Sequence, residues 1–391
     1  MDDKCWKVLY DDRGFRMKFG GIPRYFTEVI KRLPIDFVGI IAANRAENLY
    51  LQQPPFNMPV ARKEFTRQDF SRYFLGGRTL RGLDHLWGIV RRVCPEMVRA
   101  DRVINDRLFA RMSRDANIDL IHLTEPHYFN YPWRKWCKGK KLIVTVHDLI
   151  PDMVWKYDWM YPYRKRVLEC ADRIIAVSNY TKQQIVDFYA IAADKIDVVY
   201  HGYMEYGGED CHPLFNDRYI LYVGNRNSYK NFTFFVKSIA PLLIKTTDLY
   251  LVCTGPKFNL EEVTLFKNLG ISSKVIHRFV QDYEMKSLFA NAEMFVYPSK
   301  VEGFGIPILD AFAAGCPTIL AKCSCFPEIA GDAALYFEDG DGDGLCNSIL
   351  SLLGNEGLKR TMIAQGRARL GNFSWQKCAN ETATVYKKVL L

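Results

Sequence analysis

Short apolar runs of strand length recur along this chain, with stretches of helical spacing between them. In the first half the runs are Trp6–Tyr10, Asp119–Leu123, Leu142–Val146, Arg173–Ser178 and Lys195–Tyr200. In the second half they are Tyr219–Val223, Tyr250–Thr254, Lys274–Val280, Met294–Pro298 and Thr318–Ala321. Between them, Ile22, Tyr25, Phe26, Val29, Ile30 and Leu33 make one helical stripe. Ile306–Ala314 makes another, opened by Pro307 and closed by Gly315 and Pro317. Tyr283–Ala290 and Ser374–Leu391 also read as helices. Strands alternating this regularly with helices predict doubly wound parallel sheets of the α/β class. Residues 44–80 show little period and read as a long, partly ordered connection. Glu205–Pro213, rich in Gly and charge, reads as a linker. The chain of 391 residues therefore divides into residues 1–205 and 206–373, followed by a last helix, with no internal repeat.

Charge changes this picture in one place. Residues 1–205 hold 34 Lys and Arg against 25 Asp and Glu, so the whole excess of +9 lies there. It is densest from Arg62 to Arg114, where Arg91, Arg92, Arg99, Arg102, Arg107, Arg111 and Arg114 alternate with apolar residues. Such an amphipathic basic region suits an anionic membrane surface or a phosphate-bearing lipid, and equally a solvated basic face on a core helix. No nucleic-acid-binding motif accompanies it, so nucleic acid is not an expected partner. There is no run of eighteen apolar residues, and MDDKCWKV is no signal peptide, so a cytoplasmic protein is expected. Eleven cysteines are scattered without zinc spacing, which fits reduced thiols.

Candidate chemistry concentrates where strands end. Met294–Ala321 reads as a βαβ unit, whose ligands lie beyond the carboxyl ends of its strands. Glu302 sits on the loop leaving its first strand, and Asp310 in the first turn of its helix. Gly303–Phe304–Gly305 lets backbone approach a ligand, and the helix start suits an anionic phosphate. Acceptor-only carboxylates beside a phosphate site suit hydroxyls, so a sugar nucleotide fits. Gly20–Gly21 opens a helix in the same manner. His147 and Asp148 leave one strand together. Arg226 and Lys230 follow another on a Gly-Asn-rich turn, where two cations would suit a diphosphate.

The string EGFGIPILDAFAAGCP, followed by PEIAGDAALYFEDGD, resembles the donor-site signature of the retaining glycosyltransferases of family 4. Asp310 stands where that family usually has a second Glu, one methylene longer. GGIPRY, TVHDLIP and VGNRNSYKN resemble the family's cleft loops, and the likeness is strongest from Tyr219 to Gly340. It implies the GT-B fold, two Rossmann-like doubly wound domains facing across a cleft, with the last helix crossing back onto the first. It implies a nucleotide diphosphate sugar as co-substrate, a saccharide or lipid-linked acceptor, and no essential metal.

On that likeness His147, Glu302, Arg226 and Lys230 are the expected catalytic residues. Gly20, Gly21, Gly224, Phe279, Val280, Gly303, Phe304, Gly305, Ile306 and Asp310 are expected to hold the donor, and His127 and Arg24 the acceptor. The TVHDLIP and PEIAGDAALYF strings point toward mannosyl- or rhamnosyl-transferring members that build surface polysaccharides, placed in the cytoplasm or on the inner face of the membrane. The alternatives are a non-catalytic sugar-nucleotide or polyanion binder on this fold, and a GT-B nucleotide-sugar epimerase or hydrolase.

Overall fold

A computed structural model describes residues 4–18, 20–43, 48–59, 100–126, 139–156, 158–205, 212–226 and 228–391. Among them, two six-stranded sheets form, every strand parallel to its neighbours. The first contains β1 (Trp6–Tyr10), β2 (Phe37–Ile41), β3 (Leu120–Leu123), β4 (Lys141–Val146), β5 (Arg173–Ala176) and β6 (Ile196–Val198). Its spatial order is β2-β1-β3-β4-β5-β6. The second contains β7 (Arg218–Tyr222), β8 (Leu249–Cys253), β9 (Val275–His277), β10 (Met294–Tyr297), β11 (Thr318–Ala321) and β12 (Leu335–Phe337). It runs β12-β11-β10-β7-β8-β9.

Helices cover both faces of each sheet, which is why β3, β10 and β11 are buried throughout rather than alternating. Strand order reverses between β1 and β3 in the first sheet and between β7 and β10 in the second. Each reversal opens a crevice at the carboxyl ends of its strands. One apolar cluster runs through both units, joining Val8 and Tyr25 to Tyr297, Phe304 and Trp375.

The last helix, Trp375–Leu390, packs on the first unit, against helix Gly21–Lys31 and strands β4 and β5. A β-carbon on Gly202 would stand 2.2 Å from the Trp375 nitrogen, so the helix starts hard against that glycine. Further along, the Tyr386 hydroxyl lies 2.6 Å from that of Tyr10 and 2.7 Å from His122 Nδ1. His122 Nε2 lies 2.7 Å from the Thr145 hydroxyl, which completes a buried polar chain under the cleft.

Two edge strands go beyond the sequence reading. β2 carries Gly39 and an exposed Val38, and β12 has three residues, so neither shows a strand's period. Asp310 lies one full turn inside helix Ile306–Ala313 rather than in its first turn. His127, Arg91, Arg92 and Arg99 lie outside the described residues, as does most of the 44–80 connection. Among the described residues, no helix is long and apolar enough to cross a membrane.

Candidate active site

The crevice of the second sheet is built by the loops after β7 and β10. The first loop coils into a short turn at Ser228–Lys230, and the Lys300 amide donates to the Tyr229 carbonyl at 2.8 Å, tying the two loops together. Lys230 Nζ then lies 2.5 Å from Glu302 Oε1 and donates to the Tyr297 hydroxyl at 3.2 Å. Both side chains are largely buried. Burial alone would lower the lysine's pKa, but Glu302, with Tyr297 and Tyr229, holds it well above its ordinary value. A permanent cation therefore stands at the switch point, paired with a carboxylate.

Beyond Glu302, Gly305 caps helix Ile306–Ala313 at φ +88°, a conformation that favours glycine. Gly303 is restricted by space instead: a β-carbon there would lie 1.7 Å from the His147 carbonyl oxygen. Only glycine lets this loop meet the first unit. Gly21 approaches from the other side, where a β-carbon would lie 3.3 Å from Ile306 Cδ1.

His147 itself leaves β4 and packs edge-on to Tyr25 and Phe26, at 5.2 and 5.5 Å between ring centres. Among the described residues, neither ring nitrogen has a hydrogen-bond partner. Burial lowers its pKa to about 3, so the ring is neutral, with one N–H to give and one lone pair to receive. The His201 nitrogens likewise have no partner among the described residues, and the ring stacks on Phe304 at 4.4 Å.

The remaining expected residues divide into two groups. Arg24 Nη1 pairs with Asp310 Oδ2 at 3.1 Å, and Asp310 Oδ1 accepts the Met204 amide at 3.0 Å. This carboxylate thus spans the two units. Gly224 follows β7, its amide donating to the Thr254 hydroxyl at 3.2 Å. Arg226 is turned to its own unit. It bonds Glu262 at 2.6 Å and the Thr254, Pro256 and Lys257 carbonyls at 3.2, 2.5 and 3.0 Å. As it stands, its guanidinium braces the turn after β8. Phe279 and Val280 follow β9, with Phe279 exposed.

Sequence reasoning did not single out Glu125, at the carboxyl end of β3. Burial lifts its carboxyl to about 7, Asp11 and Asp148 adding and Arg13 and Arg164 opposing. Asp148 is raised by burial too, and is influenced by Glu302 and Lys230 across the cleft. The signal available was positional: an acid next to a strand end in TEPHYF. Among the described residues, no three His, Cys, Asp or Glu side chains converge as a metal ion would require.

Two doubly wound parallel domains whose strand ends face one cleft, with a cation and a glycine loop at the second switch point, have the architecture of the GT-B class. The family model described as Glycosyltransferase Family 4 matches residues 19–203, and that described as Glycosyl transferases group 1 matches residues 213–369. The chain belongs to glycosyltransferase family 4. O-antigen chain mannosyltransferase B of Escherichia coli is 25% identical over 401 residues, spanning 97% of this chain and 99% of its own. O-antigen chain mannosyltransferase RfbU of Salmonella typhimurium is 28% identical over 205 residues, 51% of this chain and 57% of that protein. In fold, the chain is similar to Anabaena HepE, solved in complex with UDP-glucose, at a TM-score of 0.70 and 15% identity over 98% of this chain and 99% of that one.

Proposed function

We propose that the enzyme is a retaining hexosyltransferase that moves mannose from GDP-mannose to a saccharide or lipid-linked saccharide, extending a surface polysaccharide. The observation that carries this reading is the Lys230–Glu302 pair at the switch point, facing an unpartnered His147. The likeness to O-antigen mannosyltransferases supports mannose over rhamnose.

In this reading the donor lies against the second domain, its diphosphate at Lys230 and the start of helix Ile306–Ala313. As the bond from C1 to the phosphate oxygen breaks, Lys230 offsets the charge building on the leaving group. Glu302 accepts hydroxyls of the donor sugar, and neutral His147 holds another near the reacting carbon. The acceptor oxygen forms its bond to C1 on the face the phosphate leaves, and the acceptor proton passes to that phosphate. The products are a glycoside of unchanged anomeric configuration and a nucleoside diphosphate carrying the proton.

Gly20, Gly21 and Gly224 give the donor backbone room, Phe279 and Val280 stand beside the base, and Asp310 turns from Arg24 to the ribose. Arg24 and His127 serve the acceptor, with Glu125, half-protonated near neutrality, able to give or accept a hydrogen bond. Lys230 and the helix amides supply positive charge, so no essential metal is required. Arg226 joins them only if it leaves Glu262. The cytoplasm suits this role, with the basic first half resting on an anionic membrane face. Titration calorimetry with GDP-mannose tests the donor assignment: wild type binds it, and Lys230→Ala binds it at least tenfold more weakly, on the scale of one lost charge-assisted contact. Equal affinity in the two proteins, or binding of UDP-glucose alone, contradicts it.

A further inference from the structure

We infer that Ser178, Thr181 and Glu328 are positioning residues that latch the two domains and so fix the loop bearing Glu302. The inference rests on the donor-holding role given above to that loop.

Helix Asn179–Tyr189 belongs to the first domain and follows β5. Ser178 caps it, its hydroxyl accepting the Thr181 amide at 3.0 Å. The same hydroxyl donates to the Gly303 carbonyl at 2.6 Å, and the Thr181 hydroxyl donates there at 3.2 Å. Ser178 and Thr181 are both fully buried. Gly303 directly follows Glu302, so the first domain holds the backbone next to the donor-side acid.

Glu328 reaches the same helix end from the second domain. Its Oε1 accepts the Asn179 amide at 2.7 Å, Asn179 Nδ2 at 2.9 Å and the Tyr200 hydroxyl at 2.7 Å. Its Oε2 accepts the Tyr180 amide at 3.1 Å. A carboxylate on the free amides of a helix N-terminus combines charge-assisted hydrogen bonds with a favourable dipole. Arg369 steadies the segment, donating to the Glu328 and Ile329 carbonyls at 2.5 and 2.9 Å. One helix end in the first domain is thus gripped twice by the second. Separating the domains breaks both sets of bonds and draws His147 away from Gly303.

Lys230 and Glu302 both belong to the second domain, whereas His147 comes from the first. Loss of the latch therefore leaves the Lys230 and Glu302 contacts to the donor in place and lowers the fraction of molecules in which His147 completes the site. In the full-length protein, Ser178→Ala, Thr181→Val and Glu328→Gln should each lower kcat for GDP-mannose about tenfold, on the scale of one lost hydrogen bond to a charged or buried group. Donor KM should stay within about twofold. Thr181→Ser, which keeps the hydroxyl, should retain wild-type kcat. Small-angle scattering without substrate should give a larger radius of gyration for Glu328→Gln than for wild type. A wild-type radius together with wild-type kcat overturns the latch, as does a lowered melting temperature with radius and kcat unchanged. The scattering arm needs no donor. A latch-dependent radius in a protein inactive on GDP-mannose supports the latch and counts against the donor assignment alone.

Discussion

Lys230 Nζ stands 2.5 Å from Glu302 Oε1, across the strand-order reversal of the second sheet. The two residues come from loops 72 positions apart and meet because β7 and β10 are neighbours. In the proposed reaction the pair would supply the cation that offsets the leaving-group charge and the acceptor for the sugar hydroxyls. Lys230→Ala and Glu302→Ala should each reduce turnover roughly a hundredfold or more, the scale of one transition-state electrostatic contact. Steady-state kinetics on folded variants checks this, and near-normal turnover in either would remove the pair from the chemistry.

The same pair makes a stability prediction with a distinctive sign. Removing one member leaves the other charged and buried, at a cost of about 3–5 kcal/mol, whereas replacing both with apolar residues is often close to neutral. Lys230→Met should therefore melt below the double variant Lys230→Met/Glu302→Leu. Denaturant unfolding of the three proteins measures it. A double variant no more stable than the single would show that the two charges are not coupled in the folded state.

His122 carries a pH dependence. Burial lowers its pKa from 6.5 to about 3, with His147 adding to the shift. Below pH 6.5 the unfolded chain takes up a proton that the native state refuses until about pH 3, so stability is lost as pH falls through that window. At pH 5 this one group adds about 1.4 kcal/mol per pH unit to the slope. His122→Asn should flatten the curve of unfolding free energy against pH by that amount. Identical slopes would mean that His122 is charged in the native protein. The carboxyls of Asp12 and Asp148, raised by burial, act in the opposite sense but are common to both proteins.

Chelation gives a fourth expectation. If Lys230 and the start of helix Ile306–Ala313 hold the diphosphate as proposed, turnover should survive exhaustive EDTA treatment. Complete loss restored by Mg²⁺ or Mn²⁺ would place a divalent ion in the mechanism.

Much of the fold was legible because buried parallel strands are continuous apolar runs bounded by turn residues. Thr318–Ala321 and Trp6–Tyr10 have the same limits in the sequence reading as in the structure. β2 escaped because Gly39 interrupts its apolar run and Val38 is exposed, and β12 because its three residues are too few to stand out. The site was legible as strand-end residues on glycine loops, helped by the resemblance. Its pairings were not. Nothing local in VGNRNSYKN says that Arg226 turns to Glu262 while Lys230 turns to Glu302, since that depends on which helix packs beside which loop. Nor does PEIAG show that Glu328 reaches a helix of the other domain. Cross-domain contacts carry no periodic signal in either partner.

The most direct test of retaining mannosyl transfer is product analysis by NMR after incubation with GDP-mannose and a mannose-terminated saccharide acceptor. The account predicts a new α-mannosidic linkage, matching the α configuration of the donor, formed by wild type and lost in Lys230→Ala. A β-linked product, or free mannose with no glycoside formed, would contradict it.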